Sequence, residues 1–396
     1  MYKNNIISIS GMPVSGKSTT INTIIEKLEG EGYDSSKIHL ISTGKQFREV
    51  FNDIINIIKN YRIYEKGNNL DNTELTQKLL SQKEFRDIII KTIVRLRKNN
   101  YDISNFSIEQ ANNLEEFKDL RNKIDELIDT NIHNLGNEIN SEKYEDEIWL
   151  IDSRLAFSNI PDSFSVRLTV DDNIAGERLM NDKTRGKEDN QYKSINEAKK
   201  AIINRRNGEQ KRYLERYNVD LEDTNNYDLI IDTSYSNIED IAETIIKCNK
   251  KYRKNEYFGK KWASPKKFLP TQSELMTVSK GAFVTLDQII ENIKEQGYYE
   301  DEELETICVD NRNYIVEGHH RNFGAARNGK TLVPYITIAE NDEYIPGSKN
   351  TARTFSKATS KSILLGHEWI IDENFSYEKI YPGIYKELEE EREEER

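Results

Sequence analysis

The chain has 396 residues, 36% of them hydrophobic and 32% charged, with a formal net charge of -12. That length accommodates more than one buried core, the apolar content excludes a disordered chain, and the acidic balance argues against wrapping nucleic acid by bulk attraction. No apolar run approaches the ~18 residues of a membrane span, which predicts no membrane partner.

Strand-length apolar runs recur with helical stretches between them: Ile6 to Ser10, Ile38 to Ser42, Glu147 to Asp152, Ser163 to Val170 and Asp228 to Thr233. This alternation predicts an α/β fold, a parallel sheet flanked by helices. The chain runs directly into the first of these strands rather than through a signal peptide, so a cytoplasmic location is expected. Residues 49–140 lack convincing strands and carry amphipathic spacing such as Ile88, Ile89, Ile93 and Leu96, which predicts a helical insert. A basic stretch at 247–267 is expected to be a solvated linker closing a first domain at 1–246. A smaller α+β domain at 268–345 follows, with Thr285 and Gln288 as a capping box, and 346–396 is an extension ending in an acidic tail. Cys248 and Cys308 lie far apart outside any CxxC spacing, which argues against disulfides and structural zinc.

Gly11-Met-Pro-Val-Ser-Gly16-Lys17-Ser18 fits GxxxxGK[ST], after a strand and before the helical pattern of Ile21, Ile24, Ile25 and Leu28. Such a loop turns backbone N–H groups onto phosphate oxygens, and the following helix adds its positive end. Gly11, Ser15, Gly16, Lys17, Ser18 and Thr19 are therefore the expected binding residues for ATP, with Lys17 spanning the β- and γ-phosphates and Ser18 on Mg2+. Asp152 ends an apolar strand and is the second expected metal contact, competing with a reading as a helix-capping or turn residue. Arg154 would reach the transferred group or the acceptor phosphate. Phosphoryl transfer between anions needs converging cations; Arg178, Lys183 and Arg185, then Arg205 and Arg212, supply a series that would close over the triphosphate. Taken singly, each also reads as a solvated helix charge.

With these residues in hand, the first domain resembles the cytidylate kinase family, in its archaeal-type branch. The loop GMPVSGKST carries part of the match, and the turn Ser42-Thr-Gly-Lys-Gln-Phe-Arg48 another. The most specific part is Arg205 to Thr233, in which Arg205, Glu209, Arg212, Tyr213, Tyr217, Asp220, Asp223, Tyr227 and Asp228 fall on the family's pattern. The resemblance implies a nucleoside-monophosphate kinase acting on CMP or dCMP, with Thr43, Gly44, Arg48, Asp125, Asp129, Arg154 and Arg212 on the acceptor side. Asp152-Ser153-Arg154 departs from the family pattern, which has a glycine before the arginine, and the segment from Arg48 to Asp125 is longer than compact members need.

Around Glu317-Gly318-His319-His320-Arg321 the chain resembles the ParB/sulfiredoxin-like fold. That resemblance implies a second phosphate site at these five residues. His319 stands where sulfinic-acid repair would need a cysteine, and a free-serine kinase branch uses a similar GHHR loop, for which Glu317 and Glu274 are candidate carboxylates. Two further functions stay open at this point: a nucleotide-regulated DNA-associated or signalling protein, and a free-serine kinase working from the GHHR loop. A small nucleotide acceptor is the expected partner, and a homo-oligomer is left open.

Overall fold

The computed structural model describes residues 5–61, 72–103, 110–111, 114–181, 192–271, 285–298 and 301–363. In chain order the elements are β1 (Asn5–Gly11), α1 (Lys17–Gly30), β2 (Ile38–Ser42), α2 (Thr43–Lys59), α3 (Glu74–Ser81), α4 (Lys83–Lys98), α5 (Lys118–Ile139), β3 (Ile148–Asp152), α6 (Ala156–Asn159) and β4 (Phe164–Thr169). There follow α7 (Asp172–Asn181), α8 (Ile195–Tyr217), β5 (Leu229–Asp232), α9 (Ile238–Lys254), β6 (Lys261–Ala263), β7 (Phe268–Leu269), α10 (Leu286–Gln296), β8 (Leu304–Val309), β9 (Arg312–Glu317), α11 (His319–Arg327), β10 (Val333–Glu340) and α12 (Ala352–Ile363). The fold is mixed α/β with mostly parallel pairing, as the alternating pattern predicts. By packing, the chain divides into two units, Met1–Ser10 with Ser35–Ser163 and Gly11–Asp34 with Phe164–Arg396.

In the first unit β3 lies between β2 and β1, all parallel, with Ser42 and Ile9 both in register with Asp152. Carboxyl ends of parallel strands are where open α/β sheets present their chemistry. The expected helical insert is present as α2 to α5. Ser42 caps α2 by accepting a hydrogen bond from the Lys45 N–H at 3.4 Å. Val50, Phe51, Ile54, Ile55, Ile57 and Ile58 are all buried and form one broad apolar face of α2. Full burial of each such side chain contributes about 1.5–3 kcal/mol. Phe51 meets Phe117 edge-on at 5.9 Å, and Ile124, Ile128 and Ile132 of α5 join the same core. Gly136 of α5 is needed for close approach: a Cβ there would stand 2.7 Å from Ile160 Cγ1.

The second unit orders its strands β4-β5-β6-β10-β8-β9-β7. β4, β5 and β6 are parallel neighbours, β10 runs antiparallel to β6, and β8 runs parallel to β10. The stretch 247–267, expected to be a solvated linker, is folded instead. Its first residues complete α9, its centre is β6, and Trp262 and Ala263 are buried. Lysines at the rim of this stretch mask a short apolar strand in its middle. Thr285 and Gln288 form the expected capping box of α10. Among the described residues no helix is long and apolar enough to cross a membrane.

Candidate functional site

In the second unit the loop 11–18 leads from β1 into α1. Gly11 is obligatory because a Cβ would fall 2.6 Å from Ser15 Oγ and 3.1 Å from Leu168 Cβ. Val14 and Gly16 both take positive φ, 64° and 81°, which turns successive peptide groups toward one side. Gly16 is the N-cap of α1 and offers no side-chain cap, and the first turn holds no acidic residue. The opening N–H groups of α1 are therefore available to an anion. Ser15 is buried and its Oγ has no partner among the described residues, an orphan at the centre of the loop. An unsatisfied buried hydroxyl is costly unless something fills the place. A bound phosphate oxygen suits it. Lys17, the first residue of α1, is half-buried, while Ser18 and Thr19 are exposed.

The back of the loop is held by residues from β4, β5 and α7. Met12 N–H donates to the Leu168 carbonyl at 2.9 Å, and Thr233 Oγ1 donates to the Ser15 carbonyl at 3.1 Å. Arg178, expected as a closing cation, reaches Val14 O at 3.5 Å and Thr233 Oγ1 at 3.1 Å through Nη1, and the Thr233 carbonyl through Nη2. Burial pulls its pKa down and Asp232 pulls it back up. On α8, Arg205 is exposed and pairs with Glu209 at 3.1 Å, one helical turn on. Arg212 lies over the Tyr213 ring at 4.9 Å, and Tyr213 stacks on Tyr217 at 5.8 Å. Lys183 and Arg185 lie outside the described residues.

In the first unit several expected acceptor-side residues converge at the end of β3. Ser42 Oγ donates to Asp152 Oδ2 at 2.9 Å, and Thr43 Oγ1 donates to the Asp152 carbonyl at 3.1 Å. Gly44 and Arg48 are one turn apart on α2, both exposed, with Arg48 Nη1 3.4 Å from where a Gly44 Cβ would sit. Asp125 and Asp129 share a half-buried face of α5 four residues apart, and Asn159 donates to Asp129 at 3.4 Å. Arg154 is half-buried just beyond β3.

At the GHHR turn, also in the second unit, Gly318 has φ 99° and N-caps α11 without a side-chain cap. His319 turns inward. It is buried, its Nε2 accepts from the Thr271 N–H at 3.0 Å, and burial lowers its pKa to about 3, so it is a neutral structural acceptor. Arg321 Nη1 pairs with Glu302 at 2.8 Å, while Arg321 Nε and the buried Asn322 Oδ1 have no partner among the described residues. Glu317 is exposed, in register with Glu305. Glu274 lies outside the described residues.

A cytidylate kinase from Methanosphaera stadtmanae is 31% identical to this chain over 138 residues, which are 34% of this chain and 71% of the relative. The chain belongs to the cytidylate kinase family. A second cytidylate kinase, from Methanococcus aeolicus, is 45% identical over 51 residues, 13% of this chain and 29% of its own length. No protein-family model matches the chain. A crystal structure of an uncharacterized protein from Eubacterium ventriosum aligns over 63% of this chain and 99% of its own, at 16% identity and a TM-score of 0.33, too low to carry an argument. Membership in the cytidylate kinase family thus rests on the N-terminal match.

For a member of the cytidylate kinase family, three residues around the loop escaped the sequence reading. Thr233 closes the loop from behind, yet in sequence it is only the last residue of an apolar strand. Asp232 and Lys267 pair at 3.2 Å. Their signal was hidden because Lys267 belongs to a run of basic residues, and a run gives no sign of which member is buried.

Proposed function

We propose that this chain is an ATP- and Mg2+-dependent kinase that transfers the γ-phosphoryl group to a pyrimidine nucleoside monophosphate, CMP or dCMP. The observation that carries this reading is the buried, unpartnered Ser15 hydroxyl within a loop whose positive-φ residues and uncapped helix start all favour an anion. Lys17 would neutralise the β- and γ-phosphates, and Ser18 would offer its hydroxyl to Mg2+. Bound Mg2+ would supply charge neutralisation on the phosphate oxygens. In the first unit Thr43, Gly44 and Arg48 are the proposed acceptor-phosphate contacts, with Asp125, Asp129 and Arg154 as companions. An acceptor phosphate oxygen would bond to the γ-phosphorus as the bond to the bridging oxygen breaks, leaving ADP. No covalent enzyme intermediate is needed.

The segment 268–345 is proposed as a ParB-like nucleotide-binding module. The unpartnered Arg321 Nε, a donor at the uncapped start of α11, supports an anion there. His319 is not part of that site in this reading, because its ring is committed to Thr271.

The test is ADP release with ATP and Mg2+ against CMP, dCMP, UMP, AMP, GMP, dTMP and free serine, using the wild type, Lys17→Ala and Arg321→Ala. Turnover with CMP or dCMP that vanishes in Lys17→Ala supports the reading. No turnover with any monophosphate sinks it, and serine turnover that survives Lys17→Ala but not Arg321→Ala moves the activity to the second module.

A further inference from the structure

Charged groups from distant parts of the second unit meet beside the loop 11–18. Asp171 follows β4 and Asp232 ends β5, at the same edge of adjacent parallel strands. Lys267, from the turn that precedes β7, places Nζ 3.2 Å from Asp232 and 3.9 Å from Asp171. Its side chain is only 15% exposed. Burial lowers its pKa, but Asp232 and then Asp171 more than offset this, so the ammonium stays charged. Ser234 ties the two residues together: its N–H donates to the Asp232 carboxylate at 2.8 Å, and its hydroxyl accepts from the backbone N–H of Asp171 at 2.8 Å.

This cluster is one residue from the loop. Thr233, next to Asp232, donates to the Ser15 carbonyl, and Arg178 is bonded to Thr233 while sensing the charge of Asp232. Two carboxylates behind a loop that must hold a polyanion would oppose binding, since unit charges in a protein interior act over many ångströms. Lys267 cancels one of the two charges and so halves that opposition. Its position outside the segment that carries the loop and its β-strands makes it a contribution from the C-terminal part of the chain.

We infer that Lys267 is a positioning residue for triphosphate binding, offsetting one of the two negative charges that Asp232 and Asp171 place behind the loop, so that the affinity of the N-terminal loop depends on the C-terminal part. This rests on the reading of residues 11–18 as a nucleoside triphosphate site. A buried ion pair that only ties elements together would affect stability alone, and would treat ligands of different charge alike.

The test is calorimetric titration of ATP and ADP, with Mg2+, into the full chain as wild type, Lys17→Ala, Lys267→Met, Lys267→Arg and the double variant Lys267→Met/Asp232→Asn. The expected result is about a tenfold loss of ATP affinity in Lys267→Met with a smaller loss for ADP. Lys267→Arg and the double variant should return to within about twofold of wild type, because each restores the charge balance. Unchanged ATP affinity in Lys267→Met, or equal loss for ATP and ADP, overturns the inference while leaving the triphosphate reading intact. If Lys267→Met does not fold, Asp232→Asn decides: the inference requires ATP affinity to gain relative to ADP, and an unchanged ratio overturns it. Wild type that binds ATP no better than Lys17→Ala removes the triphosphate reading, and the inference falls with it.

Discussion

The hydroxyl of Thr233 donates to the carbonyl of Ser15 at 3.1 Å, fastening the centre of the glycine loop to the end of β5. The same hydroxyl lies 3.0 Å from the Thr169 carbonyl and accepts from Arg178, so one small side chain joins the loop, β4, β5 and α7. Thr233→Val keeps the shape and removes the donor. Loss of a buried hydrogen bond that leaves its acceptor unsatisfied costs about 1–3 kcal/mol. The variant should lower the urea midpoint accordingly and weaken ATP binding several-fold; a variant with wild-type ATP affinity would show that the loop holds its shape without this bond.

Arg48 is exposed on the first turns of α2, beside a glycine that leaves its guanidinium room. If it holds the acceptor phosphate, Arg48→Ala should raise the KM for the monophosphate about 10- to 100-fold, the loss expected for a charge-assisted hydrogen bond. The KM for ATP should stay within about twofold, since removing one contact to one substrate leaves uniform binding of the other untouched. Equal rises in both constants would remove Arg48 from the acceptor site.

Gly136→Ala tests the packing of α5. Its methyl would stand 2.7 Å from Ile160 Cγ1, and the contact is to a buried core residue that has little freedom to move. Overpacking of this kind costs about 1–3 kcal/mol. Chemical denaturation should report that loss, with turnover per folded molecule unchanged, and pairing with Ile160→Ala, which removes both Cγ atoms, should cost less than the sum of the two single variants. Full stability in Gly136→Ala would mean that α5 can slide away.

His319 should make the chain acid-sensitive. Its folded pKa is lowered to about 3 by burial, against ~6.5 in the unfolded chain. Between those values the unfolded state binds the proton and the folded state does not, so stability is complete above pH ~6.5 and falls as the pH drops toward 3, by up to about 1.4 kcal/mol per pH unit. Urea midpoints measured from pH 7 to pH 4 should fall more steeply in the wild type than in His319→Gln. Parallel profiles would show that the ring is protonated within the fold.

The parts of the fold legible in sequence were those whose signal is local. Ile6 to Ser10 and Asp228 to Thr233 are short apolar runs fully buried between neighbours, and such strands read as continuous hydrophobic segments. The glycine loop declared itself because its backbone demands are met by residue type at fixed spacing. Ser42, Thr43, Gly44 and Arg48 lie within two turns of one another, so their grouping was visible in the sequence. β6 was not, since three residues flanked by lysines carry almost no periodicity. Lys267 was not either: what buries it is Asp232 and Asp171, far away in sequence, and only the pairing of β5 with β6 brings that turn near them. His319 looked like a ligand because histidine in a glycine turn is equally suited to binding and to filling a core, and its donor Thr271 gives no cue beforehand.

β6 has a final consequence for how this chain came to be and how it can be cut. It occupies the hydrogen-bonding edge of β5 on one side and that of β10 on the other. A gene ended after α9 would encode a product with the β5 edge bare, and an exposed edge strand recruits other copies of itself. The C-terminal extension is therefore not a passenger joined by a spacer. Its loss would leave the β5 edge without the strand that now pairs with it.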